Sequence, residues 1–524
     1  MPLQLVDLLS KGYFPKELPP PFTTGSLSGA LASAQAPPLI GLCSGPPKWS
    51  PPCVHNLVRT GGLRRNLGIP NPKHFCRLAH HVVANWNNLT ACANASPFSL
   101  SKPVEGRLDR AISPEHSLDS RTLNRARLRS SGRFVLMADI ARFFPSIYTH
   151  SIPWAIMGKA VAKAAHAART LSGTWQDTTD VLSRRINNNQ TVGIPIGPDT
   201  SWVLTEVLLT RIDVELGNKF TRLRGMRYID DYEFSFATRS QAEDVLSFLQ
   251  HLLNEFELGL NPNKTAIVEL PAQLDPVWTS KIRVFMFRHA GVTGQKNDLT
   301  AYFDMVFDFF KAFPEEGLLK YAIARLRSVE IHRQNWRLLE SILSQCILIE
   351  PACIPQVCDQ ITYYRTKRYG ISKPLWSESL NRIVYERVPL GQSSEAAWAM
   401  WLMKLLNINM SAKSAKAISK SEDSIVGLMA LGLAASGLAN NAYLSGLHRF
   451  SPPSALFESQ WLLCYQGNLM AWLGAASGRA NLASDPFFLY LASQNVSFFD
   501  IGVTRPAAIR HATFPGYVSA EGGY

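Results

Sequence analysis

The stretch Tyr228-Ile229-Asp230-Asp231-Tyr232-Glu233-Phe234-Ser235-Phe236 constrains this chain more than any other. Tyr232, Phe234 and Phe236 alternate with other residues, the period of a strand with one buried face. The two aspartates then fall in the tight turn of a hairpin, aimed at solvent. Adjacent carboxylates repel each other and stay ionised cheaply only beside a cation, most often a divalent metal.

A second acid has matching surroundings. Phe134-Val135-Leu136-Met137-Ala138 is an unbroken apolar run and reads as a buried central strand that ends at Asp139. One sheet can bring this aspartate to the Asp230-Asp231 turn. Three such carboxylates can hold two magnesium ions about 3.5–4 Å apart, the arrangement used for in-line attack at phosphorus. Two weaker blocks follow. Gly193-Ile194-Pro195-Ile196-Gly197-Pro198-Asp199-Thr200-Ser201 leads into a helix-like run through Leu216, with Thr200 or Ser201 as its expected cap. A Gly/Pro loop before a helix lets backbone approach a flat ligand closely. Gly259-Leu260-Asn261-Pro262-Asn263-Lys264-Thr265 reads as a turn that carries a lysine.

In this order the four blocks resemble the palm of reverse transcriptases, over roughly residues 100–290. The resemblance puts Asp139 on the family's first catalytic aspartate and Asp230 and Asp231 on its paired acids, with the Ile140 carbonyl as a further metal ligand. Pro195 and Gly197 fall in the nucleotide- and template-contacting loop. Lys264 looks like the lysine beside the pyrophosphate leaving group. Phe144, five residues after Asp139, matches the aromatic that lies under the sugar and clashes with a 2′-hydroxyl.

Phe143-Phe144-Pro145-Ser146-Ile147-Tyr148-Thr149-His150 and Gly193 to Pro198 look like abortive-infection reverse transcriptases of the AbiK type, bacterial phage-defence proteins. That resemblance implies a polymerase that adds deoxynucleotides without a template, using magnesium or manganese. It also implies a single-stranded DNA product attached to a tyrosine of the protein. The apolar second half is expected to support the palm and self-association into a homo-oligomer. Tyr13 is the first candidate primer, with Tyr148 and Tyr232 as alternatives near the site. Ile196 stands where many templated reverse transcriptases carry Gln, and an apolar side chain cannot make the same polar contact near the incoming base pair. The competing readings are a templated RNA-directed DNA polymerase of a retroelement and a catalytically inactive nucleic-acid-binding scaffold.

The expected fold is α+β: reverse-transcriptase-like fingers and palm followed by an all-α, HEAT-like domain. Residues 15–52 are rich in Pro, Gly and Ser, so 1–72 is expected to be an amino-terminal arm, with fingers and palm over 73–295. Beyond 296, apolar residues recur at helical spacing with no clean fixed period, as in paired helices stacked as a solenoid. Between Arg107 and Arg133 lie Arg110, Arg121, Arg125, Arg127 and Arg129, where the fingers would hold a triphosphate. Arg127 and Arg129, read as sharing one strand face, are the first candidates.

A chain of 524 residues holds two or more domains, and 46% hydrophobic with 18% charged residues is globular. A net charge of +13 suits a nucleic-acid partner or a polyanionic product. Eight scattered cysteines include no Cys-x-x-Cys pair, which fits a reduced cytoplasm, and the resemblance implies a bacterial one. No basic n-region followed by an apolar h-region opens the sequence, so secretion is not expected, and the apolar run from 425 to 439 is shorter than the roughly 20 residues a membrane span needs.

Overall fold

The acid-bearing strands assemble into one sheet. A computed structural model describes residues 3–32, 39–106, 110–117 and 120–503. It contains β1 (Cys53–Val58), β2 (Arg64–Ile69), β3 (Pro103–Glu105), β4 (Ile112–Pro114), β5 (Phe134–Asp139), β6 (Arg224–Tyr228), β7 (Asp231–Phe236) and β8 (Ala266–Glu269). β1–β2 and β3–β4 are separate antiparallel pairs, and the other four form an antiparallel sheet in the order β6-β7-β5-β8. β5 is central, as its apolar run predicts. The register sets Asp139 opposite Asp231 and Tyr228 opposite Asp231, so the sheet itself brings the acids together.

Helices Asp199–Lys219 and Arg239–Glu255 pack on this sheet. Leu208, Leu209, Ile212 and Leu216 of the first, and Val245, Leu249, Leu252 and Leu253 of the second, share one core with Leu136, Ala138, Phe234 and Phe236. The second helix opens with a capping box between Thr238 and Gln241. Phe234 is fully buried, and its ring lies across the strand opposite, where a Cβ on Gly225 would come within 2.2 Å of it. Truncating Phe234 would cost about 3–5 kcal/mol.

β7 differs from its expected half-buried form. Glu233 and Ser235, on the other face, are buried as well, because the helix Ser120–Arg129 covers that side. Arg125 and Arg129 of this helix bond Glu233 at 2.9 and 2.7 Å. Arg127 and Arg129 therefore lie on a helix and share no strand face. Arg129 is buried on Glu233, while Arg127 is exposed. Arg107 lies outside the described residues. The expected helix cap differs too: Asp199 begins the helix, and Thr200 and Ser201 are buried within its first turn.

The largest correction concerns residues 1–72. The described residues among them do not form a separate arm. Leu8, Leu9, Tyr13, Phe14, Phe22 and Leu27 belong to one continuous core with Phe75, Trp461, Phe487 and Phe498. Thr23 N donates to Phe498 O, and Trp398 Nε1 donates to Glu17 O. The Pro-rich composition argued for exposure, yet the interleaved Leu, Phe and Tyr side chains have enough apolar area to be drawn into the groove that the carboxy-terminal helices offer.

The second half is helical. From Val292–Ala312 to Ser393–Leu406, five further helices and short 3₁₀ turns follow one another, and alternate helices also touch. Past Ala435 three 3₁₀ stretches among the described residues, Asn441–Phe450, Pro453–Phe457 and Arg479–Ser484, interrupt the helices. Among the described residues no helix is long and apolar enough to cross a membrane.

Candidate active site

Asp139 ends β5, and Asp230 and Asp231 follow β6. Ile229, which opens the β6–β7 turn, has φ +55°. A β-branched residue in this left-handed region is strained by about 1–3 kcal/mol, so its surroundings must over-determine it. They do. Ile229 N donates to Ser101 Oγ at 2.7 Å, and Ile229 O accepts from Arg227 Nη1 at 2.9 Å. Arg227 is fully buried and bonds Asp213 (2.7 Å) and Glu206 (3.1 Å) of the helix Asp199–Lys219. Burial pushes its guanidinium down, but Asp213 and Glu206 more than reverse this and hold it charged. Ser99 and Ser101 donate to the Glu206 carboxylate at 2.8 and 2.7 Å, and Ser96 to Asp213 at 2.5 Å. This closed network fixes the acid turn from beneath.

On the solvent side the acids face cations. Lys264 Nζ lies 3.0 Å from Asp139 Oδ2, and Asn261 Nδ2 donates to Asp139 Oδ1 at 2.9 Å. Arg121 reaches Asp231 at 3.4 Å and stacks over the Tyr228 ring. Burial, then Asp231 and Asp139, push the Asp230 carboxyl up to about 6. Burial also raises Asp231, with Asp139 adding to it and Arg121 opposing. Among the described residues no three acidic, histidine or cysteine side chains stand as a ready-made metal cage, since Asp139 is drawn toward Lys264 and Asp231 toward Arg121. Among the described residues no donor bonds the Ile140 carbonyl, while Ile140 N donates to Asp230 O at 3.3 Å.

The Gly193 loop lies between two neighbours. Gly193 N and Ile194 N donate to Ile147 O and Phe144 O, at 2.8 and 3.1 Å, which ties the loop to the segment after Asp139. On the other side Gly68 N of β2 donates to Ile196 O at 2.9 Å, and a Cβ on Gly68 would meet Pro195 at 2.7 Å. Gly197 has φ +134°, and Pro15 packs against its Cα. Phe144 is half-buried, its ring edge-on to Phe143. Asp199 accepts from Arg110 Nε at 2.8 Å, and Arg110 also bonds Phe14 O and Gly197 O, so this arginine is used in structure.

Two residues that sequence reasoning missed sit side by side on β2. Arg64 forms a bidentate pair with Glu395 of the helical half, at 2.6 and 2.9 Å. Arg65, on the opposite face of the strand, is half-buried, its charge disfavoured by burial and by Arg59 and supported by Asp230 and Glu17. Strand alternation thus turns Arg64 to Glu395 of the helical half and Arg65 to the other face, where it feels the charge of Asp230. The pattern Arg64-Arg65-Asn66-Leu67-Gly68-Ile69 could have shown this strand, had the segment before it not been read as an arm.

Tyr13 does not protrude. It is fully buried, stacked on Phe75 with centroids 4.1 Å apart, and its hydroxyl donates to Pro70 O. Burial raises its phenol well above the usual tyrosine range. A residue so enclosed cannot reach the acids while the core stays folded, so Tyr13 is an anchor. Tyr232 is also fully enclosed, while Tyr148 is half-exposed.

No protein-family model matches this chain, and no curated protein matches it. Among solved structures it is similar to apo telomerase from Candida tropicalis, with 10% identity, TM-score 0.32, and 73% of this chain and 69% of that one covered. It is also similar to telomerase from Candida albicans with a TWJ fragment of telomeric RNA (10% identity, TM-score 0.29, 65% and 63% covered). The Candida tropicalis enzyme with such a fragment gives 9% identity, TM-score 0.30, and 73% and 64% covered. The chain thus spans about two thirds of the length of these telomerase chains. At such TM-scores the likeness carries no argument, and the functional reading rests on the site.

Proposed function

We propose that this chain is a nucleotidyltransferase of reverse-transcriptase type that extends a hydroxyl with deoxynucleotides. The observation that carries the reading is the meeting of Asp139, Asp230 and Asp231 where β5 abuts a strained, braced turn. Three carboxylates and the Ile140 carbonyl are hard oxygen donors of the kind magnesium or manganese takes, and the raised Asp230 carboxyl marks a place where added positive charge is favoured. When bound, two divalent ions would lower the pKa of the attacking hydroxyl and neutralise the leaving phosphates.

The chain's own groups do the rest. The hydroxyl proton passes to solvent water, a bond forms from the hydroxyl oxygen to the alpha phosphorus, the bond to the oxygen bridging to the beta phosphorus breaks, and pyrophosphate leaves. Lys264 releases Asp139 and donates to the pyrophosphate. Arg65, rather than Arg127 or Arg129, meets the triphosphate, because β2 faces Asp230 while Arg129 is committed to Glu233. Phe144 lies under the sugar and disfavours a 2′-hydroxyl.

The finer reading is template-independent, protein-primed DNA synthesis in phage defence, of the AbiK type. Its support is the apolar Ile196 in the nucleotide loop and the motif order described above. With Tyr13 buried, Tyr148 is the better-placed primer. An inactive nucleic-acid-binding scaffold is the second reading, favoured by the pairs Lys264–Asp139 and Arg121–Asp231, which already neutralise two of the acids. Incubating the full chain with labelled dNTPs and magnesium, with and without an RNA template, decides between them. Incorporation without template, retained on the protein after denaturing extraction, is expected. Strict template dependence would favour a retroelement polymerase, and no incorporation the scaffold.

A further inference from the structure

A second basic surface lies outside the acid site. The helices Pro72–Ala84 and Trp175–Arg185 are docked by His81, whose Nε2 lies 2.8 Å from Thr179 Oγ1 and 3.1 Å from Trp175 O. This brings Arg77 of the first helix to Arg184 and Arg185 at the end of the second. Arg77 lies one turn before His81 on the first helix, and burial first, then Arg77 and Arg184, disfavour the charge on Arg185. Arg184 is partly neutralised by Asp180 at 3.3 Å, and Asp180 is shared with His150 at 2.6 Å. The guanidinium groups of Arg77 and Arg185 have no hydrogen-bond or ion-pair partner among the described residues. Over them runs the segment Lys48-Trp49-Ser50, fastened by Ser50 N to Arg185 O (3.4 Å) and Asn188 N to Ser50 O (2.9 Å). Lys48 is exposed, and the Trp49 indole is 46% exposed.

A like-charged cluster beside an open indole is costly unless it meets an anion with flat groups. Single-stranded nucleic acid is that ligand: its phosphates suit the guanidinium groups and its bases stack on the indole. The surface is also joined to the acid site. Asn187, two residues after Arg185, donates its Nδ2 to Gly193 O at 2.9 Å, and Gly193 and Ile194 are bonded to Ile147 and Phe144.

We propose that Lys48, Trp49, Arg77, Arg184 and Arg185 form a track for single-stranded nucleic acid that runs from the Phe144 side of the acid site. Its place on the reaction path rests on the polymerase reading; its binding does not. The test is fluorescence anisotropy of a labelled 20-nucleotide oligothymidylate with full-length protein carrying Asp230→Asn and Asp231→Asn, so that no synthesis intervenes. In that background Arg77→Gln with Arg185→Gln should weaken binding about 10-fold or more at low salt. It should also flatten the dependence of log Kd on log salt by roughly two counterions. Trp49→Ala should weaken binding several-fold and leave the salt slope unchanged. Trp49→Ala and Lys48→Gln are surface changes that keep the test valid should the arginine variants fold poorly. Unchanged affinity and slope in all the variants would overturn the track. Oligonucleotide binding through these residues by a wild-type protein that incorporates no dNTP would sink the polymerase reading and leave the track standing. Synthesis with unaltered binding in the variants would do the reverse.

Discussion

Two hairpins meet at the acid site, and they are held in different ways. The β6–β7 turn carries Asp230 and Asp231 and is fixed from within its own sheet domain by Ser101, Arg227, Glu206 and Asp213. The β1–β2 hairpin carries Arg65 and is fixed from outside: Arg64 by Glu395, Val58 N by Ser394 Oγ at 2.9 Å, and Gly61 against Glu315. The acids are thus set by local structure and the facing cation by the distant helical half. The difference teaches what the helical half would do for the proposed site: through Glu395 and Ser394 it holds the hairpin that carries Arg65.

The largest effect is expected from the acids themselves. Asp230→Asn with Asp231→Asn should lower nucleotide incorporation by a factor of at least about 1,000, since the charge that would bind the metal ions is removed. The apo protein should melt no lower than wild type, because repulsion with Asp139 is relieved. Magnesium should raise the melting temperature of the wild type and leave that of the variant unchanged. Wild-type incorporation by the variant would show that the turn is merely acidic.

Next comes the brace beneath the turn. Arg227→Ala leaves Glu206 and Asp213 buried without their cation, at about 3–5 kcal/mol of stability. Ser101→Ala is the milder form. It removes one acceptor from Ile229 N, should cost about 1–3 kcal/mol, and should lower kcat more than it changes KM. Should Ser101→Ala melt and turn over as wild type, the strained turn holds itself.

The β1–β2 hairpin allows a sharper contrast, because adjacent residues test its two faces. Arg65→Ala should raise KM for dNTP by roughly 10–100-fold, the scale of one charge-assisted phosphate contact, with little change in melting. Arg64→Ala should act the other way round. It should lower the melting temperature, as Glu395 loses its partner, and raise KM only as far as the hairpin loosens. Equal KM effects in both variants would mean that strand alternation does not divide their roles.

The acids and their sheet were legible because strand signals are local: an apolar run, an alternation and an Asp-Asp turn each occupy under ten residues. The amino-terminal segment was not. Its Pro and Gly argued for an exposed arm, while what buries Tyr13 and Phe14 is Phe498, almost five hundred residues on. The Arg227 network was equally hidden, since nothing in the sequence pairs Ser101 with Glu206 and Ile229. Arg129 was misjudged because a basic run does not say which of its members already have acids. Each miss is a long-range contact, the kind that composition and period cannot carry.

The smallest expected effect tests whether the outside support of β1–β2 responds to pH. Glu350 is buried beside Leu319 and Lys320, and Lys320 also feels Glu17, the residue whose carbonyl holds Trp398. Burial pushes the Glu350 carboxyl up to about 7, with Leu319 N–H and Lys320 opposing. In the unfolded chain it titrates near its ordinary 4.5. The folded state therefore keeps this proton to higher pH than the unfolded state does. Its contribution favours folding below about 4.5 and is lost as pH rises through about 7. Glu350→Gln stays neutral throughout, so its thermal midpoint should lack this decline and exceed that of wild type by a few degrees above pH 7. The gain in stability is on the order of 1–3 kcal/mol. Arg65 and Lys320 both feel the charge of Glu17, so KM for dNTP in wild type should rise modestly across the same window and stay flat in the variant. Parallel pH profiles of melting and KM in the two proteins would detach Glu350 from the support of β1–β2.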